Sequence, residues 1–237
     1  MSNVALPSIT LATAVGKDPG VLVIGLAETS SDPVLIGLPD ELAKAYAKAM
    51  GHEFAEVAIS LGGSAKNGKT VLVAGPAGLR IVVVGLGPID VTAEQVRRAV
   101  GAGVRVVAGL DGSNAVTISL ETNEPGVIKG AVEGALLGAY TYREPAAISA
   151  ITLVSANRKP EAKQALDLAV TTAKAVVTAR EWVNLPANQL YPETFAEAVR
   201  AVAKAGKLDI EVWDEKALEK DGMGGILAVG GGSARKP

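Results

Sequence analysis

The sequence has 237 residues, no cysteine and a formal net charge of −2 at pH 7. The lack of cysteine excludes disulfides, thiolate metal ligands and cysteine nucleophiles, and the near-neutral charge argues against nucleic-acid and membrane-surface binding. Nearly half of the residues are hydrophobic but only 3% are aromatic, so a core must be built from Ala, Val, Leu and Ile. The length suits one large domain, or one domain and part of another.

Targeting signals are not evident in the sequence. The first residues lack the basic and apolar regions of a secretory signal peptide. No uninterrupted apolar run approaches the ~20 residues that a membrane helix needs. Together with the missing cysteine, these features are compatible with a cytoplasmic protein.

The first 155 or so residues alternate between strand and helix patterns, which predicts an α/β domain with helices flanking a mixed sheet. Helices are predicted from Pro39 to about Met50, behind a capping box at Thr92–Gln95, and over 128–139. Short apolar or alternating runs predict the strands Ser8–Val15, Val21–Leu26, Glu56–Leu61, Thr70–Ala74, Leu79–Leu86, Ala115–Leu120 and Ser149–Ser155.

From Pro160 the pattern changes. Apolar residues at helical spacing predict a helix of more than 20 residues that ends near Trp182. A helix this long after a finished domain usually connects that domain to another. The remaining predicted elements are a helix from Pro192 to about Ala205, a strand Asp209–Val212, a short helix near Glu215–Lys220 and a buried strand Ile226–Val229.

Two candidate sites in the first domain are weak. His52 is the only histidine, so a site with several histidine ligands is impossible, and its place after Met50-Gly51 favours a surface or helix-capping role. The segment Val82–Asp90 begins like a dinucleotide-binding fingerprint. Asp90 stands where the third glycine is needed for close helix–strand packing, and Pro88 breaks the turn, so a strand ending in a turn is favoured.

Two more candidates lie near the end of the chain. Four acidic residues close together could hold a divalent cation, but on a short helix such a cluster is more often a solvated face. The segment "GMGGILAVGGGS" could be a phosphate or substrate loop. It has no lysine or hydroxyl residue at phosphate-binding spacing, so a tight packing seam is favoured. The acidic residues are Asp214, Glu215, Glu219 and Asp221.

The connector "NLPANQLYPE" predicts a rigid elbow between two helices. Pro186 disfavours the helical conformation at Leu185, so the long helix must end there. Asn184 and Asn188 can satisfy free backbone groups, and Pro192 with Glu193 can begin the next helix. This chemistry is structural and not catalytic.

The segments "AREWVNLPANQLYPETFA" and "VWDEKALEKDGMGGILAVGGGSARKP" closely resemble the leucyl aminopeptidases of the cytosol aminopeptidase family. The resemblance is specific over about residues 176–237, whereas the first 150 residues agree only in layout with the family's macro-domain-like N-terminal domain. It implies an N-terminal α/β domain over 1–157, a linker helix and elbow over 158–186, and the beginning of a truncated catalytic α/β domain over 187–237.

The resemblance implies a metal-dependent exopeptidase that removes N-terminal amino acids from peptides. Family members hold two divalent ions, Zn²⁺ or Mn²⁺, which activate a bridging water, and they form hexamers. Their metal-binding and catalytic residues lie in a Lys-Gly-x-Thr-Phe-Asp-x-Gly-Gly segment and an Asn-Thr-Asp-Ala-Glu-Gly-Arg segment, and this sequence contains neither. We therefore expect an N-terminal portion of such an enzyme, inactive alone, with no catalytic, substrate-binding or metal residue.

A different class of function stays open at this point. A macro-like domain could act as a free-standing module that binds ADP-ribose or another nucleotide in a glycine-rich cleft. The connector and everything after it, from about Trp182 onward, would then be an unexplained appendage.

Overall fold

The computed structural model describes residues 6–142 and 147–235. By its contacts the chain divides into two compact units, Val4–Thr178 and Ala179–Pro237, here called the sheet unit and the C-terminal unit. Within the described ranges, no helix combines the length and the apolar character that a bilayer crossing requires.

The sheet unit is built on one seven-stranded mixed sheet, which confirms the predicted α/β class. The strand order is β1-β7-β6-β2-β5-β4, and β3 pairs with β2 near its carboxyl end. Strands β3 and β4 run antiparallel to their neighbours, and the other pairs are parallel. The strands are β1 Ser8–Ala12, β2 Val21–Glu28, β3 Val34–Ile36, β4 Thr70–Ala74, β5 Arg80–Pro88, β6 Ala115–Ser119 and β7 Ala150–Val154.

Helices cover both faces of the sheet because the central strands are apolar on both sides. Leu22, Ile24 and Leu26 of β2 pack into a core with α1 and α2. The alternate residues Val21 and Val23 pack into a larger core with α3, α4 and α5. The helices are α1 Asp40–Met50, α2 Phe54–Ser60, α3 Ala93–Ala108, α4 Pro125–Ala139 and α5 Pro160–Asn184.

Helices α3 and α4 touch backbone to backbone along a seam of glycines. Gly130, Gly134 and Gly138 recur every four residues, so they form one ridge of α4. A Cβ added at Gly134 would lie well inside 3.0 Å of the Arg97 carbonyl oxygen, and the other two glycines face α3 carbonyl groups in the same way. Only glycine allows this approach.

The C-terminal unit contains the end of α5 and three further helices, joined by turns and extended segments. Ala198, Ala203 and Leu218 are its buried apolar residues among those described. Most of its larger apolar side chains remain exposed, so it has little core of its own. The helices are α6 Pro192–Gly206, α7 Glu215–Lys220 and α8 Gly224–Gly230.

Three strand predictions are wrong. The run Glu56–Leu61 belongs to α2, whose Phe54 and Ala58 are buried one helical turn apart, and a run this short shows no decisive period. The run Ile226–Val229 lies in α8. Asp209–Val212 has no regular secondary structure, and the described residues provide no strand to pair with it. Strand β3 was not predicted, because a run of three residues is too short to show the alternation typical of a strand.

Candidate functional site

The carboxyl edge of the sheet is the usual position of a ligand site in this class of fold. In layered α/β folds, ligands bind beyond the carboxyl ends of the strands, where neighbouring crossovers diverge. Here β6 pairs with Val21–Ile24 only, and β3 takes over beside β2 at Gly25–Ala27. Gly37 follows β3 with φ 83°, and a Cβ there would collide with the Ser119 carbonyl group. The chain itself therefore fills the space between the carboxyl ends of β2 and β6.

The glycines of the segment Val82–Asp90 also face the protein and not a ligand. A Cβ at Gly85 would strike the carbonyl oxygens of Ser64 and Lys66, which belong to the loop before β4. The Gly87 amide donates to the Ala65 carbonyl oxygen at 2.7 Å. These glycines let a loop of the same chain pack on β5, which accounts for the incomplete nucleotide fingerprint.

His52 and the acidic residues are not gathered into a site. His52 is exposed and follows Gly51, which ends α1 in the left-handed conformation. The Asp214 carboxylate caps α7 by accepting the Ala217 amide at 2.9 Å. The other three acids are exposed, and no cluster of three or more potential metal ligands exists in the part of the chain that the structure describes.

A pocket of about 370 Å³ opens at the opposite, amino edge of the sheet, between α3 and β6. The Ser113 hydroxyl lies in it, buried and without a hydrogen-bond partner among the described residues. Asp111 is the only titratable group that lines it in the described ranges. Its carbonyl oxygen accepts the Arg80 guanidinium at 2.9 Å. This chemistry selects no particular ligand, and we assign none.

The first turn of α3 combines a capping box with a carboxylate that is bonded to two arginines. The Thr92 hydroxyl accepts the Gln95 amide and the Gln95 side chain accepts the Thr92 amide, which confirms the predicted capping box. The Glu94 carboxylate accepts hydrogen bonds from Arg97 Nε at 2.6 Å and Arg98 Nε at 2.7 Å. These bonds lower the pKa of Glu94 from 4.5 to about 2.

We expect the replacement Arg97→Gln to raise the pKa of Glu94, because the Arg97 hydrogen bond is the largest cause of the lowered value. The folded pKa lies below the unfolded one, so the contribution to stability is full above pH 4.5 and disappears as the pH falls through about 2. A carboxyl ¹³C titration by NMR measures this pKa. Arg105→Gln, on the last turn of α3, is the control and should leave it unchanged. A Glu94 midpoint near 4.5 in the unsubstituted chain would contradict the assignment.

The elbow between α5 and α6 is held by side chains of the C-terminal unit. Helix α5 ends at Asn184, two residues before Pro186, as predicted. The Trp182 and Phe195 rings meet edge to face at 5.3 Å across the turn. The Tyr191 amide donates to the Thr194 hydroxyl at 3.0 Å, which caps α6. Within the quoted connector, Tyr191 therefore has a structural role at the start of α6.

Arg235 makes the elbow contact that sequence reasoning missed. Its guanidinium lies 3.9 Å from the centre of the Tyr191 ring, and its Nη1 donates to the Asn188 carbonyl oxygen at 3.2 Å. The partners stand 47 residues apart along the chain. No local sequence pattern predicts a contact between residues so far apart.

The C-terminal unit presents an extensive set of exposed apolar side chains, here called its apolar surface. Val183 is 83% exposed and Val229 is 90% exposed, values more typical of polar residues. In α8, Ile226 is also exposed, whereas Leu227 is half-buried. The other members are Phe195, Val202, Leu208, Ile210, Val212, Met223 and Ile226.

Comparison with protein families gives two matches. The model described as "Cytosol aminopeptidase family, N-terminal domain" matches residues 36–144. The model described as "Cytosol aminopeptidase family, catalytic domain" matches residues 177–237. The first match lies in the sheet unit, and the second covers the elbow and the rest of the C-terminal unit.

Curated proteins and solved structures agree with these matches. A probable cytosol aminopeptidase of Cutibacterium acnes is 41% identical over 92% of this chain and 44% of its own length. One of Rhodococcus jostii is 37% identical over 98% of this chain and 47% of its own. A tomato leucine aminopeptidase variant superposes over all of this chain and 50% of its own with a TM-score of 0.77 at 21% identity, which shows the fold. The bottromycin maturation enzyme BotP gives 0.66 at 26% identity over 92% of this chain and 44% of its own. The chain thus spans under half the length of these curated relatives.

Proposed function

The chain belongs to the cytosol aminopeptidase family, and from this premise we propose that it supplies the N-terminal domain and the first part of the catalytic domain of an aminopeptidase. The whole enzyme would remove N-terminal amino acids from peptides by metal-dependent hydrolysis. We propose the domain bounds expected from the sequence: a domain over 1–157, a linker and elbow over 158–186, and the beginning of the catalytic domain over 187–237.

The observation that carries this proposal is the apolar surface of the C-terminal unit. A unit that exposes most of its larger apolar side chains cannot gain enough hydrophobic free energy to be stable alone. The same residues fall in the match to the family's catalytic domain, of which this chain holds 61 residues, from 177 to 237. We propose that the remaining part of the catalytic domain covers this surface.

Metal chemistry belongs to the part of the enzyme outside this chain. Among the described residues, the carboxylates and the single histidine form no group that could bind two divalent ions. They do not fit the family's Mn²⁺ or Zn²⁺ centre, so we derive no catalytic step from them. We propose that the N-terminal domain of this chain helps the whole enzyme to assemble and controls which substrates reach its active site.

The remaining properties of the whole enzyme are proposals of the same kind. Peptides would be its substrates, and a homo-oligomer, a hexamer as in the family, would be its assembly. A cytoplasmic location would match the relatives, which are named cytosol aminopeptidases. The alternative, a free-standing module for ADP-ribose or nucleotides, gains no support, because β3 and Gly37 fill the space between the carboxyl ends of β2 and β6.

A chimera tests the proposed function. The 237-residue chain is joined to the carboxyl-terminal remainder of the Cutibacterium acnes relative, beginning after the segment aligned with this chain. Leucine release from a chromogenic leucyl substrate is measured with Mn²⁺ or Zn²⁺. We expect metal-dependent activity from the chimera and none from the 237-residue chain, because its sequence contains neither of the family's metal-binding segments.

The full-length relative is the positive control, and cooperative thermal unfolding checks that the chimera folds. Metal-dependent leucine release by the 237-residue chain alone would contradict the proposal that the chemistry lies elsewhere. A folded chimera that is inactive while the relative is active would contradict the proposal that this chain is the amino-terminal part of such an enzyme.

A further inference from the structure

Strand β4 forms one edge of the sheet, and the described residues leave its outer side unpaired. Its residues Thr70–Ala74 pair with β5 on one side only. Edge strands of stable monomers usually carry a charged residue, a proline or a bulge that prevents pairing with another chain. The sequence of β4, TVLVA, has no charge and no proline, and its register with β5 is regular.

The hydrogen bonds at the two ends of β4 show which backbone groups point outward. The Gly85 amide donates to the Lys69 carbonyl oxygen at 2.8 Å, and the Gly75 amide donates to the Leu79 carbonyl oxygen at 2.6 Å. Odd-numbered residues of this segment therefore direct their backbone groups to β5. Because these directions alternate in an antiparallel ladder, the amides and carbonyl groups of the even-numbered residues face the open edge. These residues are Thr70, Leu72 and Ala74.

This outward set is complementary to itself. If a second copy approaches in the antiparallel direction with a two-fold axis beside Leu72, the two Leu72 residues face each other and exchange both hydrogen bonds. Thr70 of each copy then faces Ala74 of the other and does the same. Each outward amide and carbonyl group of β4 then has a hydrogen-bond partner in the second copy. The register between β4 and β5 stays unchanged.

Side chains and charges fit the same arrangement. The Leu72 side chain is 40% exposed. The two-fold axis would place it against the Leu72 side chain of the second copy. The nearest charged neighbour, Lys69, would face Gly75 of the other copy, so no like charges meet across the junction. A partner of different sequence would satisfy the backbone as well, but only a second copy is certain to bring this matched set.

We propose that β4 is a homodimerisation edge, at which two copies of the chain join their sheets through antiparallel β4–β4 pairing centred on Leu72. The proposal does not depend on the aminopeptidase assignment, since it rests on the sheet unit alone. It also distinguishes this edge from the apolar surface of the C-terminal unit, which would associate without strand pairing.

Cysteine cross-linking tests the pairing cleanly because the natural chain has no cysteine. In hydrogen-bonded antiparallel pairs, Cα atoms lie about 5.5 Å apart, within disulfide range. The Leu72→Cys variant should therefore form a covalent dimer under mild oxidation. The control is Met50→Cys, which places a thiol on α1 at a residue that is 51% exposed, more than Leu72. We expect cross-linking at Leu72→Cys to be about tenfold faster or more, because pairing raises the local thiol concentration. Equal rates for the two variants would overturn the proposal.

Amide hydrogen exchange gives an independent measurement on the unsubstituted chain. The amides of Val71 and Val73 should be protected at every protein concentration, whereas those of Thr70, Leu72 and Ala74 should gain protection only as the concentration rises. The Leu72→Lys variant places two ammonium groups at the axis and should abolish that gain. Met50→Lys should preserve it. Exchange of the even-numbered amides that does not depend on concentration would overturn the proposal.

Discussion

Replacing Gly134 with alanine should lower the free energy of unfolding of the sheet unit by about 3 kcal/mol, the upper part of the range for an overpacked core. Alanine alone would favour the helix by about 1 kcal/mol. The new methyl group, however, would meet the Arg97 carbonyl oxygen, which belongs to the backbone of α3 and cannot rotate away. The two helices must separate, and the core beneath them loses contacts with them.

Urea denaturation followed by far-UV circular dichroism measures this loss. The matched control is Gly126→Ala in the first turn of the same helix, where a Cβ meets nothing within 4 Å. That variant should unfold at the same urea concentration as the original chain or slightly higher. If Gly134→Ala were equally neutral, the backbone contact between α3 and α4 would be refuted.

The C-terminal unit should be cleaved by chymotrypsin about a hundredfold faster than the sheet unit, because segments without a core open at little free-energy cost. Residues 209–213 have no regular secondary structure and make no backbone–backbone hydrogen bond within the described structure. We expect first cuts beside Leu208 and Trp213, then trimming to near residue 185, while the sheet unit persists. Mass spectrometry of the products over time gives the sites and rates.

The same digestion of the aminopeptidase chimera provides the control. There the apolar surface would be covered, and the bonds near Leu208 and Trp213 should survive as long as those of the sheet unit. Tryptophan fluorescence adds a second readout, since Trp182 and Trp213 are the only tryptophans and both lie in the C-terminal unit. Protection of the isolated chain as far as Arg235 would contradict the prediction.

Much of the sheet unit could be predicted because its local patterns agree with its tertiary structure. Buried strands such as Val21–Glu28 are continuous apolar runs, and α3 begins at a recognisable capping box. Predicted boundaries differ from the observed ones by one to three residues, as expected from fraying at helix and strand ends. The elbow was predictable for the same reason, since Pro186 acts on its immediate neighbour.

The failures occur where distant partners decide the conformation. Asp209–Val212 alternates like a strand, but a strand forms only beside another strand. The run Ile226–Val229 is too short for its period to separate strand from helix, and it lies in α8. The Arg235 contact with Tyr191 joins distant residues and has no local signature. For the candidate site Val82–Asp90, the sequence raised the hypothesis that the glycines accommodate a ligand. The fold shows instead that Gly85 accommodates the loop that contains Ser64 and Lys66.

The pairing of β1 with β7 has a consequence for the order in which the protein can be assembled during synthesis. Strand β1 pairs with β7, and the hydrogen-bonded residues Ser8 and Ser149 at their beginnings are 141 residues apart along the chain. At a ribosomal rate of about 5–20 residues per second, β1 leaves the ribosome roughly 7–28 s before β7. Strand β1 must therefore wait for its partner. Strands β2 to β5, including the β4 edge, can pair first, and β6, β7 and finally β1 are then added on the other side of β2.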